Sequence, residues 1–446
     1  MDGSLDLSFT KSTNTSVLEI IGTAMERRTF TLGAAAAATG LALDIPVPGG
    51  WMKALASELT VARGDGRPNR ILVVVQLSGG NDGLNTVVPY RDERYVQARP
   101  KLKINASEVI PFQNDLGFHP SLRSLESQWE AGRFSVVQGV GYASPNRSHF
   151  ESMDIWHSCH RKQDRTQSGW IGRYLSGCSD SEQKDAPGVH VGAEPLPLAL
   201  VERGVQVPSL ASIEQMRLKS KSKVMQMEED GTASTIGSAE KSSVGEGDSD
   251  LLGFVETSTS AALEASLRLE KALSVPDETG DFPSSGLGEK LKVVSRLILA
   301  GLGTQVYYVT LDGFDTHANQ AAVHASLLRQ WSDAVSAFCK RMQQAGLQEN
   351  VLVVTFSEFG RRVSENASQG TDHGAAAPMF LAGPKFPAPL VGEHPSLNSL
   401  DDGDLKYHID YRDVYAAVIE GWLGAASLKV LDGDYREGAE KLRLFG

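Results

Sequence analysis

Residues 304 to 317, TQVYYVTLDGFDTH, pass from a β-branched and aromatic run into a glycine turn that carries Asp312, Asp315 and His317. The run Thr304 to Leu311 reads as a strand buried in a sheet, and the turn gathers carboxylates and an imidazole at its carboxyl end. Three other apolar runs end in the same way: ILVVVQL (71–77) before SGGNDGLN, FSVVQGV (134–140) before GYASPNRSH, and VLVVTF (351–356) before SEFGRR. In an open parallel sheet the ligand crevice lies beyond the carboxyl ends of the strands, so four polar loops should converge there. The expected architecture is therefore α/β, with a mostly parallel central sheet.

A chain of 446 residues that is 41% hydrophobic can bury an ample core. Its net charge of -12 argues against a nucleic-acid partner, because phosphate binding needs clustered Lys and Arg, and makes cations the expected charged partners. Cys159, Cys178 and Cys339 include no CxxC pair, which disfavours a structural zinc cluster. Cys159 and Cys178 read equally as one disulfide of an exported protein or as two free thiols. Cys339 falls on an apolar helix face and reads as a buried thiol.

Near the start, Glu26-Arg27-Arg28-Thr29-Phe30 precedes the mild apolar run GAAAAATGLAL, the pattern of a twin-arginine export signal. Residues 1–58 are accordingly assigned to a signal region and linker, with Met25 as an alternative start, and residues 59–446 to a single domain. Export places the protein in the periplasm or outside the cell. No other run approaches the ~18 apolar residues of a membrane span, so any membrane tether would be an uncleaved signal. Residues 179–283 change character: the polar stretch from Lys219 to Asp250 is low in aromatics and reads as part of a partly flexible helical insertion. Leu287, Leu291, Val294 and Ile298 then recur at helical spacing, as do Val323, Leu327, Trp331, Val335, Phe338 and Met342 before a stop at Gly346.

The loops supply the chemistry. Asp312, Asp315, His317, Glu358, Asp372 and His373 offer oxygen and nitrogen ligands without cysteine, which suits a divalent ion such as zinc, manganese, magnesium, calcium or iron. Ser148 precedes Glu151 by three residues, the spacing of a capping box, so it reads both as a helix start and as a nucleophile beside a metal. Asn81 and Asp82, in the glycine-rich loop, are candidates to orient a substrate, and Arg147 to pair with its anionic oxygens. Together these residues point to hydrolysis of a phosphate or sulfate ester on a small molecule or glycan. The alternative is a non-catalytic envelope protein that binds a partner or glycan.

The ordered set of the arginine pair, SGGNDGLNTVVP, PNRSHFESMDIWH, LDGFDTH, FSEFGRR, GTDHGAAAP and HIDYRDVYAAVIEGWLG resembles the bacterial twin-arginine-exported family catalogued as domain of unknown function 1501. That family is similar to the alkaline phosphatase and sulfatase superfamily, which implies an α/β/α sandwich with a divalent-metal site at the strand ends. Asn146-Arg147-Ser148 resembles the nucleophile stretch of metal-dependent phosphoglycerate mutases, and Asp312 to His317 and His373 resemble metal motifs. Two departures stand out. Glu358-Phe359-Gly360 replaces the superfamily's Asp-His-Gly, so one imidazole is missing unless Asp372 or His149, counted with Ser148 and Arg147 among the catalytic candidates, takes its place. Gln76 stands where a strand-end aspartate is expected. A single-metal or altered site is the expectation that follows.

Overall fold

A computed structural model describes residues 69–113, 115–164, 167–178, 185–210, 267–273 and 281–446. The expected export signal, and the expected insertion between residues 211 and 266, lie outside these residues.

Val, Ile and Leu dominate the strands because a strand covered on both faces must be apolar on both. The central sheet has nine strands: β1 (Ile71–Leu77), β2 (Phe134–Gly141), β3 (Gly188–Val191), β4 (Ser209–Leu210), β5 (Val306–Leu311), β6 (Val351–Phe356), β7 (Ala377–Ala382), β8 (Leu390–Val391) and β9 (Ile409–Asp410). Their order is β8-β2-β7-β6-β1-β5-β3-β4, with β9 pairing further along β2. Among these strands only β7 runs antiparallel to its neighbours. The organising strand β5 lies beside β1 in parallel register, Leu77 opposite Leu311, and β6 flanks β1 on the other side, Gln76 opposite Phe356.

Alternate residues of the strands face opposite layers. Val73, Val75, Leu77, Tyr307, Val309 and Leu311 share one core with α2 (Gly286–Leu299) and α3 (Gln320–Gln344). Leu72, Val74, Tyr308, Leu352 and Val354 share the other with α1 (His149–Ser158) and α4 (Tyr411–Ala417). The result is the expected sandwich of helices on both faces of a mostly parallel sheet. In α2 all four periodic residues are buried, as are Leu327, Trp331, Val335, Phe338 and Met342 of α3. Val323 is the exception at 47% exposed, because Gln320 and His324, not Val323, continue the buried face into the first turns of α3. Gly346 ends the segment at φ +75.

The expected insertion from about residue 179 needs a correction. Gly188–Val191 and Ser209–Leu210 are strands of the main sheet, β3 beside β5 and β4 beside β3, so the sheet continues into that region. The GVHV run is short, but fully buried. The three cysteines are buried, and Cys159 and Cys178 form no disulfide with each other. Burial pushes the Cys159 and Cys339 thiols up to about 12.

Candidate metal centre

Because β1, β2, β5 and β6 are parallel, their carboxyl ends lie on one edge of the sheet, and β7, running the other way, begins there just after Asp372 and His373. The chain thus brings four distant loops to one place, those after β1, β2, β5 and β6. Arg361 ties its own loop to those after β1 and β5. Its buried guanidinium donates to the carbonyls of Gly79 and Gly80 after β1, of Phe314 after β5 and of Thr371 before β7, and to Asp315 Oδ1 at 2.8 Å. The fit is tight enough to require glycine: a Cβ on Gly79, at φ +114, would lie 2.4 Å from the Asp315 amide nitrogen.

Asp315 is the hub. Its Oδ1 lies 3.2 Å from His149 Nε2, 3.0 Å from His317 Nε2 and 3.1 Å from His373 Nε2. His317 Nε2 and His373 Nε2 are 2.9 Å apart. Desolvation works against ionising Asp315, but the Arg361 guanidinium, by its hydrogen bond and its charge, does most to outweigh it and hold the carboxyl well below the usual range. The outer nitrogens of the three rings each meet an oxygen: His149 Nδ1 meets Glu358 Oε1 at 2.7 Å, His317 Nδ1 meets Asp372 Oδ1 at 3.2 Å, and His373 Nδ1 meets the Arg147 carbonyl at 2.7 Å. The bond to Glu358 raises the His149 pKa, whereas burial lowers that of His373.

These residues fit a divalent cation. His149 Nε2 is buried and makes no hydrogen bond, while its other nitrogen is held by Glu358, and a buried ring nitrogen left with an open lone pair is a ligand in waiting. His149, Asp315 and His373 each offer one ligand atom within 4.8 Å of the others. The formal charges of Asp315, Glu358, Asp372 and Arg361 leave an excess of two negatives, which a dication would neutralise. His149, the first residue of α1 after β2, brings the third imidazole to Asp315. The Phe359 ring packs 4.8 Å from both His149 and His373.

Several expected site residues have other partners. Asp312 is exposed and accepts from the amide of Gly313, whose φ of +107 turns the chain away before Asp315 is reached, so Asp312 is not part of the cluster. Asn81 and Asp82 are each 1% exposed and face the interior rather than a substrate. Asp82 pairs with Arg99 at 2.6 Å and accepts from Gln320 at 2.5 Å, and Asn81 bonds Thr86 and His324. The Arg147 guanidinium is taken by Asp404 at 2.5 Å and Asp402 at 3.4 Å; what Arg147 gives the site is its carbonyl. Gln76 is buried against His157 and Tyr308. Ser148 is exposed at the N-cap of α1 but makes no side-chain cap bond, and Glu151 pairs with Lys162, so the capping box does not form. Arg361 was not singled out by sequence reasoning; its position in the loop after β6 was the only sign.

The fold is similar to that of the phosphonate monoester hydrolase SpPMH from Silicibacter pomeroyi, at 9% identity over 83% of this chain and 76% of that one, TM-score 0.40. It is also similar to the lipoteichoic acid synthase LtaP from Listeria monocytogenes, at 8% identity over 87% and 81%, TM-score 0.39. The alkaline phosphatase from the Antarctic bacterium TAB5 shares 10% identity over 71% of this chain and 92% of its own, TM-score 0.32. No protein of curated function matches in sequence. The family model described as "Protein of unknown function (DUF1501)" matches residues 69–401, from β1 past the last site loop, and the chain belongs to that family.

Proposed function

We propose that the protein is an exported hydrolase of phosphate or sulfate esters that works with a divalent ion at the Asp315 cluster and uses Ser148 as its nucleophile. The observation that carries this reading is the meeting of three imidazoles and a carboxylate, one imidazole being that of His149, which directly follows Ser148 at a helix start. When bound, the ion would supply Lewis acidity to the ester oxygens and favour the ionised hydroxyl. The chain's own residues supply the rest. The Ser148 amide is fixed by Asn146 Oδ1 at 2.8 Å, and its side chain is exposed and makes no capping bond. At the amino end of α1, unpaired backbone N–H groups and the helix dipole favour an anion. In the proposed step the Ser148 hydroxyl loses its proton and its oxygen bonds phosphorus or sulfur as the ester P–O or S–O bond breaks, the departing alkoxide taking up a proton to leave as the alcohol. Water then adds to the phosphorus or sulfur, releases phosphate or sulfate and returns a proton to the serine oxygen. Arg27-Arg28 motivates export, and with it a periplasmic or extracellular site of action.

Purified protein should contain stoichiometric metal. Ser148→Ala should remove turnover on a panel of aryl phosphates, phosphodiesters and sulfates while leaving that metal in place. Undiminished turnover in the variant would eliminate Ser148 as nucleophile. A second reading, a non-catalytic envelope protein that binds a partner or glycan, is favoured by the buried Phe359 among the imidazoles and by the pairing of Arg147 with Asp402 and Asp404. Metal without turnover on any ester would support it.

A further inference from the structure

We propose that the cation ligands are the Nε2 atoms of His149, His317 and His373 with an oxygen of Asp315, and that Glu358, Asp372 and the Arg147 carbonyl are not ligands but the acceptors that fix the three rings. The proposal rests on the metal-dependent reading above and reassigns the residues around the ion. The argument starts from hydrogen-bond chemistry. A carbonyl oxygen and an ionised carboxylate can only accept. The short contacts of Glu358, Asp372 and Arg147 with three Nδ1 atoms therefore put the proton of each neutral ring on Nδ1 and leave the lone pair on Nε2. All three lone pairs then face one carboxylate oxygen at 3.0 to 3.2 Å, and two of them face each other at 2.9 Å.

Acceptors crowded in this way repel one another. A proton relieves one contact; a cation relieves them all. Ligands on a tetrahedral ion at about 2.0–2.1 Å stand about 3.3 Å apart, close to the 3.0–3.2 Å between Asp315 Oδ1 and each of the three ring nitrogens. Glu358 is poorly placed to be a ligand as well, since its Oε1 also accepts from the Gly79 amide at 2.9 Å and its Oε2 from Ser357 at 3.1 Å. Carboxylates and carbonyls behind metal-bound histidines fix ring orientation and raise ligand basicity. The arrangement reaches one step further out. Asp404, 1% exposed, holds the Arg147 guanidinium at 2.5 and 3.0 Å and so steadies the backbone whose carbonyl orients His373. Asp404 is thus a positioning residue.

Zinc titration of the full-length protein, with X-ray absorption on the zinc form and visible absorption on the cobalt(II) form, tests the assignment without any turnover. Wild type should count three imidazoles at one zinc and give the intense visible bands of tetrahedral cobalt. His149→Ala, His317→Ala and His373→Ala should each lose one imidazole and no longer hold stoichiometric zinc. Glu358→Gln and Asp372→Asn should keep three imidazoles and one equivalent of zinc, bound about 10–100-fold more weakly. Two or fewer imidazoles in wild type, or His149→Ala binding zinc as tightly as wild type, would overturn it. So would loss of the stoichiometric zinc in Glu358→Gln with its circular dichroism unchanged. A carboxylate-rich site that still turns over esters would sink this proposal and leave the hydrolase standing; three imidazoles with no turnover would do the reverse.

Discussion

Removing one charge from a buried ion pair leaves the other uncompensated, which is why Asp82 and Arg99 matter more to the fold than their small number of contacts suggests. Both side chains are almost fully buried, 2.6 Å apart, and Arg99 also donates to the carbonyls of Val363 and Arg362. Burial resists the Asp82 charge, yet Arg99 holds the carboxyl below its ordinary value. Asp82→Asn should cost about 3–5 kcal/mol, the usual range for stranding a buried charge. Urea unfolding at neutral pH measures it, and a loss under about 1 kcal/mol would mean that water reaches the pair. The same residue shows how far local sequence can mislead. Asp82 and Asp315 both follow strands in glycine-rich loops, but Arg99 lies next to one and three imidazoles next to the other. His317, two residues after Asp315, is the one local sign that separates them; Arg99, His149 and His373 are all distant in sequence.

Among the elements, α3 braces the strands behind the site with its buried apolar face. Trp331 is fully buried, packs 4.7 Å from the Phe380 ring, and donates its indole N–H to Thr355 in β6, the strand that leads into Glu358. Truncating such a side chain combines lost transfer energy with an unfilled cavity. Trp331→Ala should therefore destabilise the protein by about 3–5 kcal/mol, and thermal unfolding would show it. An unshifted melting temperature would contradict the packing described here. The stripe from Leu327 to Met342 was legible because helical spacing is a local property. So were the strands, whose β-branched runs end where their hydrophobicity ends. The departure at Gly188–Val191 has the same origin: four residues carry too little periodicity to mark a strand within a polar region.

For the whole molecule, acid should be the sensitive variable. Burial holds His157 and His324 down to about 3, and His119 and His394 down to about 4. In the unfolded chain each takes a proton near pH 6.5. Below that pH the unfolded state binds more protons, so stability falls as pH drops, by about 1.4 kcal/mol per unit for each such histidine. Burial raises Asp413 to about 6, and that group acts in the opposite sense between its ordinary value and pH 6, offsetting roughly one histidine. The urea midpoint should drop steeply between pH 6.5 and 5, and His157→Gln should make the slope shallower. A flat profile over that interval would show that these imidazoles are hydrated.

What the amino-acid order determined alone was local: where apolar runs begin and stop, which helices are amphipathic, and that carboxylates and imidazoles follow the strands. The parallel arrangement followed from those runs because continuous apolar strands must be covered on both faces. Tertiary structure alone decided which of the candidates meet. It gave Asp312 and the Arg147 side chain other partners, buried Asn81 and Asp82, brought His149 beside Asp315, and set Arg361 between the loops after β1, β5 and β6. Those outcomes depend on ångström-scale approach between segments separated by as many as 282 positions, as Gly79 and Arg361 are. Hydrophobic periodicity, which is set within a few residues, carries no record of such distances.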